Sequence, residues 1–402
     1  MFKRVRPYQI TLFVCAAYLL LTLLTNGGDS RVFVTLGDCF AQCSGAVCTI
    51  GPENGYDGQF SYYIARDPMN AAPCIDVPAY RYQRILLPII GRAVAFGSEQ
   101  FIPLAFVAIN VIALVGSTAL LENLLEAQKV SRIYALAYGL FGGLVIAVRL
   151  STSEPLAYGL VVLAIWLRQE AEPPGHQDRQ EKTRENGNSD VGARHVAPLK
   201  QQWRMWGQAF ALAFAALAKE TTLLFAAGYT LYYLAQRRWM DALRIAFVAG
   251  VPFVLWQLYL YNWFGAFGVG SGGAGGTPFE IIPFNGIWRI LTEGSVSAFL
   301  LLAPIALLVA VLPALWGLIA SAREILQERG GAHLYAYLLF VNAAVMLFVP
   351  FSTYREPLGV LRFIPGLVIA HLLYAALRYR HRRPLRYSLL WALTLLFPLV
   401  LR

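Results

Sequence analysis

The segment of this sequence best suited to chemistry is an aspartate set among glycines and aromatic residues, Gly55-Tyr56-Asp57-Gly58-Gln59-Phe60. Glycine lets a backbone come close to a ligand. A carboxylate beside such a contact can take a proton from an incoming hydroxyl, the work of a general base. Cations follow at Arg81 and Arg84, and more stand at the ends of later apolar runs: Lys219, Arg355 and Arg362. The planar fork of arginine binds oxyanions through two parallel N–H bonds, so this set could hold a phosphate. Tyr56 and Gln59 flank Asp57, while Glu154, Glu220 and Glu356 mark the ends of apolar runs in the same way. Each of these residues also has a plainer reading. Asp57 could cap a turn, and Arg81 and Arg84 could anchor at a membrane interface with their stems in lipid. Lys219-Glu220 could be a local ion pair at a hairpin tip. Asp67-Pro68 and Asp76 read as helix-boundary residues, since the residue before proline avoids the helix.

The elements that must position these residues are membrane helices. The chain has 402 residues, 57% hydrophobic and only 14% charged, against about 45–50% and about 25% in soluble domains. That composition excludes a soluble enzyme, a disordered chain and a collagen-like one. Apolar runs near 8–25, 101–121, 133–149, 155–167, 205–218, 221–235, 245–263, 295–320, 334–351, 357–377 and 387–401 predict an all-α polytopic membrane protein. They amount to about 10–11 transmembrane helices in a single transmembrane domain, 1–402. Alternation of the runs puts 22 of the 33 Lys and Arg on one side together with the N-terminus. The bias of Lys and Arg marks that side as cytoplasmic. The net charge of +10 is therefore a topology signal rather than a sign of nucleic acid. Polar residues at the edge of a membrane domain are costly and so are functional candidates. Here they gather at the extracytoplasmic face of what reads as a cell inner-membrane protein.

The first extracytoplasmic loop, 26–100, is long and holds Cys39, Cys43, Cys48 and Cys74, four of the five cysteines. An oxidising compartment favours disulfides, so two are expected, with all three pairings open. No histidine lies in the loop to support zinc. The mixed-charge segment 168–204 predicts a flexible cytoplasmic linker. The glycine-rich run Gly268–Gly276 predicts an outer loop or lid rather than a phosphate-binding loop, because no Lys-Ser/Thr follows it.

At Tyr56-Asp57-Gly58-Gln59, Tyr62-Tyr63, Asp67-Pro68 and Tyr80-Arg81-Tyr82-Gln83-Arg84, the chain resembles the GT-C superfamily of membrane glycosyltransferases. Ser153-Glu154-Pro155, Leu217-Ala218-Lys219-Glu220-Thr221, Tyr354-Arg355-Glu356-Pro357 and Arg362-Phe363 add to the resemblance. It is most similar to bacterial polyprenyl-phosphate-sugar-dependent mannosyltransferases. The motifs are short, and the likeness covers the helix layout over most of the chain. The resemblance implies a GT-C-like fold whose first outer loop forms helices lying on the membrane and carries a catalytic acid at Asp57. Glu154 and Glu220 are the two candidates for the second acid the resemblance implies. The implied function is inverting sugar transfer, hexosyl or pentosyl, from a polyprenyl-phosphate donor to a glycan, lipid or protein acceptor. The site lies at the extracytoplasmic edge of the lipid bilayer. The donor brings its own leaving group, so no cofactor is required, and a divalent metal at Asp57 stays open. A noncatalytic relative within a membrane complex, and a transporter, are the alternatives.

Overall fold

A computed structural model of the chain describes residues 5–41, 43, 55–171, 199–273, 275–328, 330–380 and 382–397. Among them the protein is all-helical, with no strand. The first long helix, α1 (Pro7–Thr25), begins with proline at its first position, where the missing N–H costs nothing. The segment that follows is built of short helices: α2 (Gly58–Arg66), α3 (Pro78–Tyr82) and α4 (Leu86–Val94). The bundle then continues through α5 (Ile102–Ala127), α6 (Gly142–Arg149), α7 (Glu154–Ala171), α8 (Leu199–Ala218), α9 (Leu223–Ala235) and α10 (Trp239–Phe264). It goes on with α11 (Val296–Ala306), α12 (Leu312–Gln327), α13 (Leu334–Val345), α14 (Pro357–Phe363) and α15 (Pro365–Arg378), after which come two short helices, Arg383–Tyr387 and Leu390–Leu393. Helix α10 stops at Gly265, whose φ of 72° gives the left-handed cap that glycine adopts without strain.

Helix α7 packs between α5 and α8, α8 against α10, α9 between α10 and α13, and α13 against α12 and α15. A large apolar core fills this bundle around Tyr138, Phe225, Tyr229 and Trp391. A second core of Phe60, Tyr62, Tyr63, Tyr82, Leu87, Phe106 and Leu260 lies beneath the short helices. It joins α2, α3 and α4 to α5 and to the far end of α10. The indole of Trp256 on α10 donates to the Tyr82 carbonyl at 2.9 Å, which pins the turn bearing Arg81 and Arg84 to the bundle.

Four stretches are long and apolar enough to cross a membrane: Pro7–Thr25, Glu99–Ala127, Trp239–Phe264 and Val296–Gln327. Two bent pairs, Arg132–Gly139 with Gly142–Arg149 and Pro357–Phe363 with Pro365–Arg378, raise the number to six. Among the described residues the candidates are thus four to six, against the expected count of about 10–11; some of the remaining apolar runs form helices too short to cross. Helices α9 and α13 have 13 and 12 residues. At 1.5 Å per residue they reach only about 20 Å, against about 30 Å of hydrocarbon. Large apolar side chains such as Phe13, Ile112, Phe247, Leu300 and Leu301 are exposed on the long helices, as suits an integral membrane protein.

Cys43 and Cys74 form a disulfide and Cys39 is disulfide-bonded as well; Cys48 lies outside the described residues. Cys15, in α1, is free and buried. Most of the expected linker 168–204, namely 172–198, also lies outside the described residues. Its first residues do not match that expectation: Arg168 is buried within α7 and donates to the hydroxyls of Tyr233 and Tyr232.

Candidate functional site

Asp57 is brought to the bundle by close backbone packing. A Cβ on Gly58 would lie 2.1 Å from the Leu150 carbonyl oxygen, so only glycine allows the start of α2 to approach the turn before α7. In that turn Ser151 is buried with φ at 51°, a left-handed conformation uncommon outside glycine. Asn110 of α5 donates to the Thr152 carbonyl at 3.0 Å and holds the turn in place. The Asp57 side chain makes no capping bond to α2, so it does not serve as a turn cap and is free for other partners.

Those partners are arginines. Arg81 Nη1 donates to Asp57 Oδ1 at 3.0 Å, and Arg362 Nη1 donates to Asp57 Oδ2 at 2.7 Å. Each arginine is held along its other edge by a carboxylate of its own. Arg81 binds Asp76 through Nε at 2.8 Å and Nη2 at 2.7 Å. Arg362 binds Glu154 Oε1 through Nε and Nη2, both at 2.9 Å. Arg84 binds Glu220 through Nε at 2.9 Å and Nη2 at 2.6 Å. Lys219 Nζ joins Glu154 Oε1 at 2.7 Å. The Arg81 guanidinium lies over the Phe60 ring, 4.3 Å from its centroid, and 5.1 Å from that of Tyr80, and the Tyr80 hydroxyl accepts from Arg84 at 2.9 Å. The Tyr56 hydroxyl accepts from Arg362 Nη1 at 2.9 Å.

The cluster thus joins the cations Arg81, Arg84, Lys219 and Arg362 with the acids Asp57, Asp76, Glu154 and Glu220. With every group ionised its formal charge is zero. Burial pushes the Asp57 carboxyl up, but the Arg81 and Arg362 guanidiniums outweigh burial and hold it well below the usual carboxylate range. Burial also opposes the charge on Arg81, which Asp57 and Asp76 more than restore. A cleft of about 20 Å³ lies among Asp57, Phe60, Ser61, Arg81, Arg84, Thr152, Ser153 and Arg362, room for about one water molecule.

Of the residues singled out in the sequence, Asp57, Tyr56, Arg81, Arg84, Glu154, Lys219, Glu220 and Arg362 come together here. Lys219 and Glu220 do not form the local pair expected of neighbours: Lys219 turns to Glu154 and Glu220 to Arg84. Gln59 is buried and accepts from the Gly37 amide at 2.9 Å, a bond that ties the preceding loop to α2. Arg355 and Glu356 are exposed, and their one ion pair among the described residues is with each other, at 3.7 Å. In the sequence Asp76 reads only as a boundary residue. It does bond the Val77 amide at 2.7 Å, and it also clamps Arg81. Its place just ahead of the proline-started turn that carries Arg81 was the available signal. Phe60, Ser61, Thr152 and Ser153 carried no signal apart from their neighbours.

The glycine-rich run lies against the same cluster. Gly268 packs on the Ala79 carbonyl, and a Cβ on Gly273 would lie 3.1 Å from Arg81 Nη2. The run is tied at both ends, by the Val269 amide to Gln257 and the Thr277 amide to Ser352, each at 3.1 Å. The donor set does not fit a divalent metal at Asp57, because both oxygens of that carboxylate already face guanidinium cations. Among the described residues no group of three or more His, Cys, Asp or Glu converges as ligands would.

No family model matches the chain, and no curated protein or solved structure matches it.

Proposed function

We propose that the protein is an inverting glycosyltransferase that moves a sugar from a polyprenyl-phosphate donor to an acceptor hydroxyl at the extracytoplasmic membrane edge. The observation that carries this reading is the meeting of Asp57, Arg81 and Arg84 from the short helices of the 26–100 segment with Lys219, at the end of α8, and Arg362, in α14. A lipid-linked sugar needs an apolar path for its tail and cations for its phosphate, and such a position offers both. In the reaction the acceptor oxygen forms a bond to the anomeric carbon as the bond from that carbon to the phosphate oxygen breaks. The polyprenyl phosphate leaves, stabilised by arginine, and the hydroxyl proton passes to Asp57. Attack from the face opposite the phosphate inverts the anomeric centre. The GT-C resemblance of the motifs around Asp57 supports this assignment.

The test is transfer by the purified full-length protein in lipid nanodiscs. It would be offered polyprenyl-phosphate hexoses and pentoses with an extract of acceptor lipids and glycans. Release of polyprenyl phosphate with an inverted product supports the reading; no release with any donor overturns it. One observation favours a second reading, a noncatalytic relative: the cluster is closed and charge-balanced. For such a protein, removing Asp57 would change stability and leave no transfer activity to lose.

A further inference from the structure

The three arginines follow one rule. Each is held along its Nε/Nη2 edge by an acid that no other arginine of the three shares: Asp76 for Arg81, Glu154 for Arg362 and Glu220 for Arg84, with Glu154 also taking Lys219. Asp57 has no arginine of its own and is shared between the remaining Nη1 groups of Arg81 and Arg362. It is also the most exposed of the four acids. Its side chain is 32% accessible, against 5% for Asp76, 1% for Glu154 and 21% for Glu220. It makes no capping bond to α2 that would have to break if it turned away from the arginines. The adjacent cleft, at about 20 Å³, has room for a water. A phosphate, with four oxygens each about the size of that water, enters only by displacing something. Added to a neutral cluster, its charge would also be unbalanced unless an acid left the cations.

We propose that the place between Arg81 Nη1 and Arg362 Nη1, filled by Asp57 in this structure, is the seat of a ligand phosphate, which enters by exchange with the Asp57 carboxylate while Asp76 keeps Arg81 in position. Asp57 is an internal counter-anion, and Asp76 is a positioning residue that need not touch the ligand. This deepens the proposed function and rests on its assignment of a phosphate-bearing ligand. A carboxylate released from two guanidiniums is a stronger base, so the same exchange would ready Asp57 for proton transfer only when a donor is bound.

The experiment measures binding, apart from any transfer, on full-length protein in nanodiscs, with farnesyl phosphate and inorganic phosphate as the probes. Removing the competing carboxylate should tighten both, by about tenfold or more for Asp57→Asn, since a hydrogen bond to a charged group contributes about 1.5–3 kcal/mol. Asp57→Glu, which keeps the counter-anion, should stay close to the unmodified protein. Asp57→Ala serves if the Asn variant does not accumulate. Asp76→Asn should weaken both probes by about tenfold on the same grounds, with Asp76→Glu restoring part of the loss. Tighter binding of farnesyl phosphate than of inorganic phosphate assigns the seat to a lipid headgroup, and the reverse order assigns it to free phosphate. Unchanged or weaker binding in both Asp57→Asn and Asp57→Ala, or no binding by any form, overturns the seat. Unchanged binding in Asp76→Asn overturns the positioning role. Exchange without sugar transfer would leave this inference standing and remove the glycosyltransferase reading.

Discussion

Arg362 Nη1 meets Asp57 Oδ2 at 2.7 Å across 305 residues of sequence, joining the segment ahead of α2 to α14. Asp57 supplies the shared carboxylate, and Arg362 carries the link onward to Glu154 and Lys219. Loss of any one member therefore leaves a charge with too few partners in a confined space.

Asp57→Asn should lower sugar transfer by about 10²–10⁴-fold, the usual contribution of a general base. Initial rates with saturating donor test this, since tighter phosphate binding in the same variant cannot then mask a loss of turnover. Transfer at the unmodified rate would remove Asp57 from the chemistry.

Glu154→Gln should destabilise the fold strongly. Its carboxylate is 1% exposed and serves both Lys219 and Arg362. Breaking a buried ion pair on one side costs about 3–5 kcal/mol. Glu356→Gln, at an exposed pair, should stay within about 0.5 kcal/mol. Thermal unfolding of the two variants in the same detergent reads the contrast, and equal midpoints would refute the assignment of Glu154 to a buried hub.

The disulfide between Cys43 and Cys74 and the bonded state of Cys39 leave Cys15 as the free thiol among the described residues. Because Cys15 is buried, alkylation of the folded protein should leave Cys15 unlabelled. Alkylation after denaturation without reductant should label Cys15. Mass spectrometry of an unreduced digest should contain a peptide pair joined through Cys43 and Cys74. Labelling of Cys43 or Cys74 before reduction would contradict the structure.

His333 should make the protein acid-sensitive. Its Nδ1 accepts from the Tyr335 amide at 3.2 Å at the start of α13, which requires that nitrogen to be unprotonated. Burial, with Arg378 and Arg168 nearby, pushes the imidazole down to about 4, against the opposing pull of Glu324. The unfolded chain binds the proton near pH 6.5 and the folded chain only near 4. The stabilisation is thus fully present above about pH 6.5 and is lost as pH falls towards 4, at no more than roughly 1.4 kcal/mol per pH unit. His333→Asn keeps a capping acceptor without the titration. The fall in thermal midpoint between pH 6.5 and 4 should shrink in that variant, and an equal fall would refute the role.

Much of this protein was already decided by its sequence taken alone. Composition and apolar runs dictate a helical membrane protein, because an uncharged run of about 20 residues has few other stable places. The polar residues in the first loop, Asp57, Arg81 and Arg84, and those at the ends of later runs, Glu154, Lys219, Glu220 and Arg362, stood out because charge at the edge of a membrane domain is costly. Partnership was a matter for the tertiary structure. Lys219 and Glu220 are neighbours in sequence but serve different partners, because the chain turns between α8 and α9 and sends their side chains to Glu154 and Arg84. Asp76 looked like a boundary residue until folding placed Arg81 against it, while Arg355 looked like its fellow cations and was left at the surface. The number of spans also depended on tertiary structure, since bends of 50° divide two apolar runs that are continuous in sequence. Ion pairing depends on distance in space and on burial, and both are set by contacts between residues far apart along the chain, which no local pattern records.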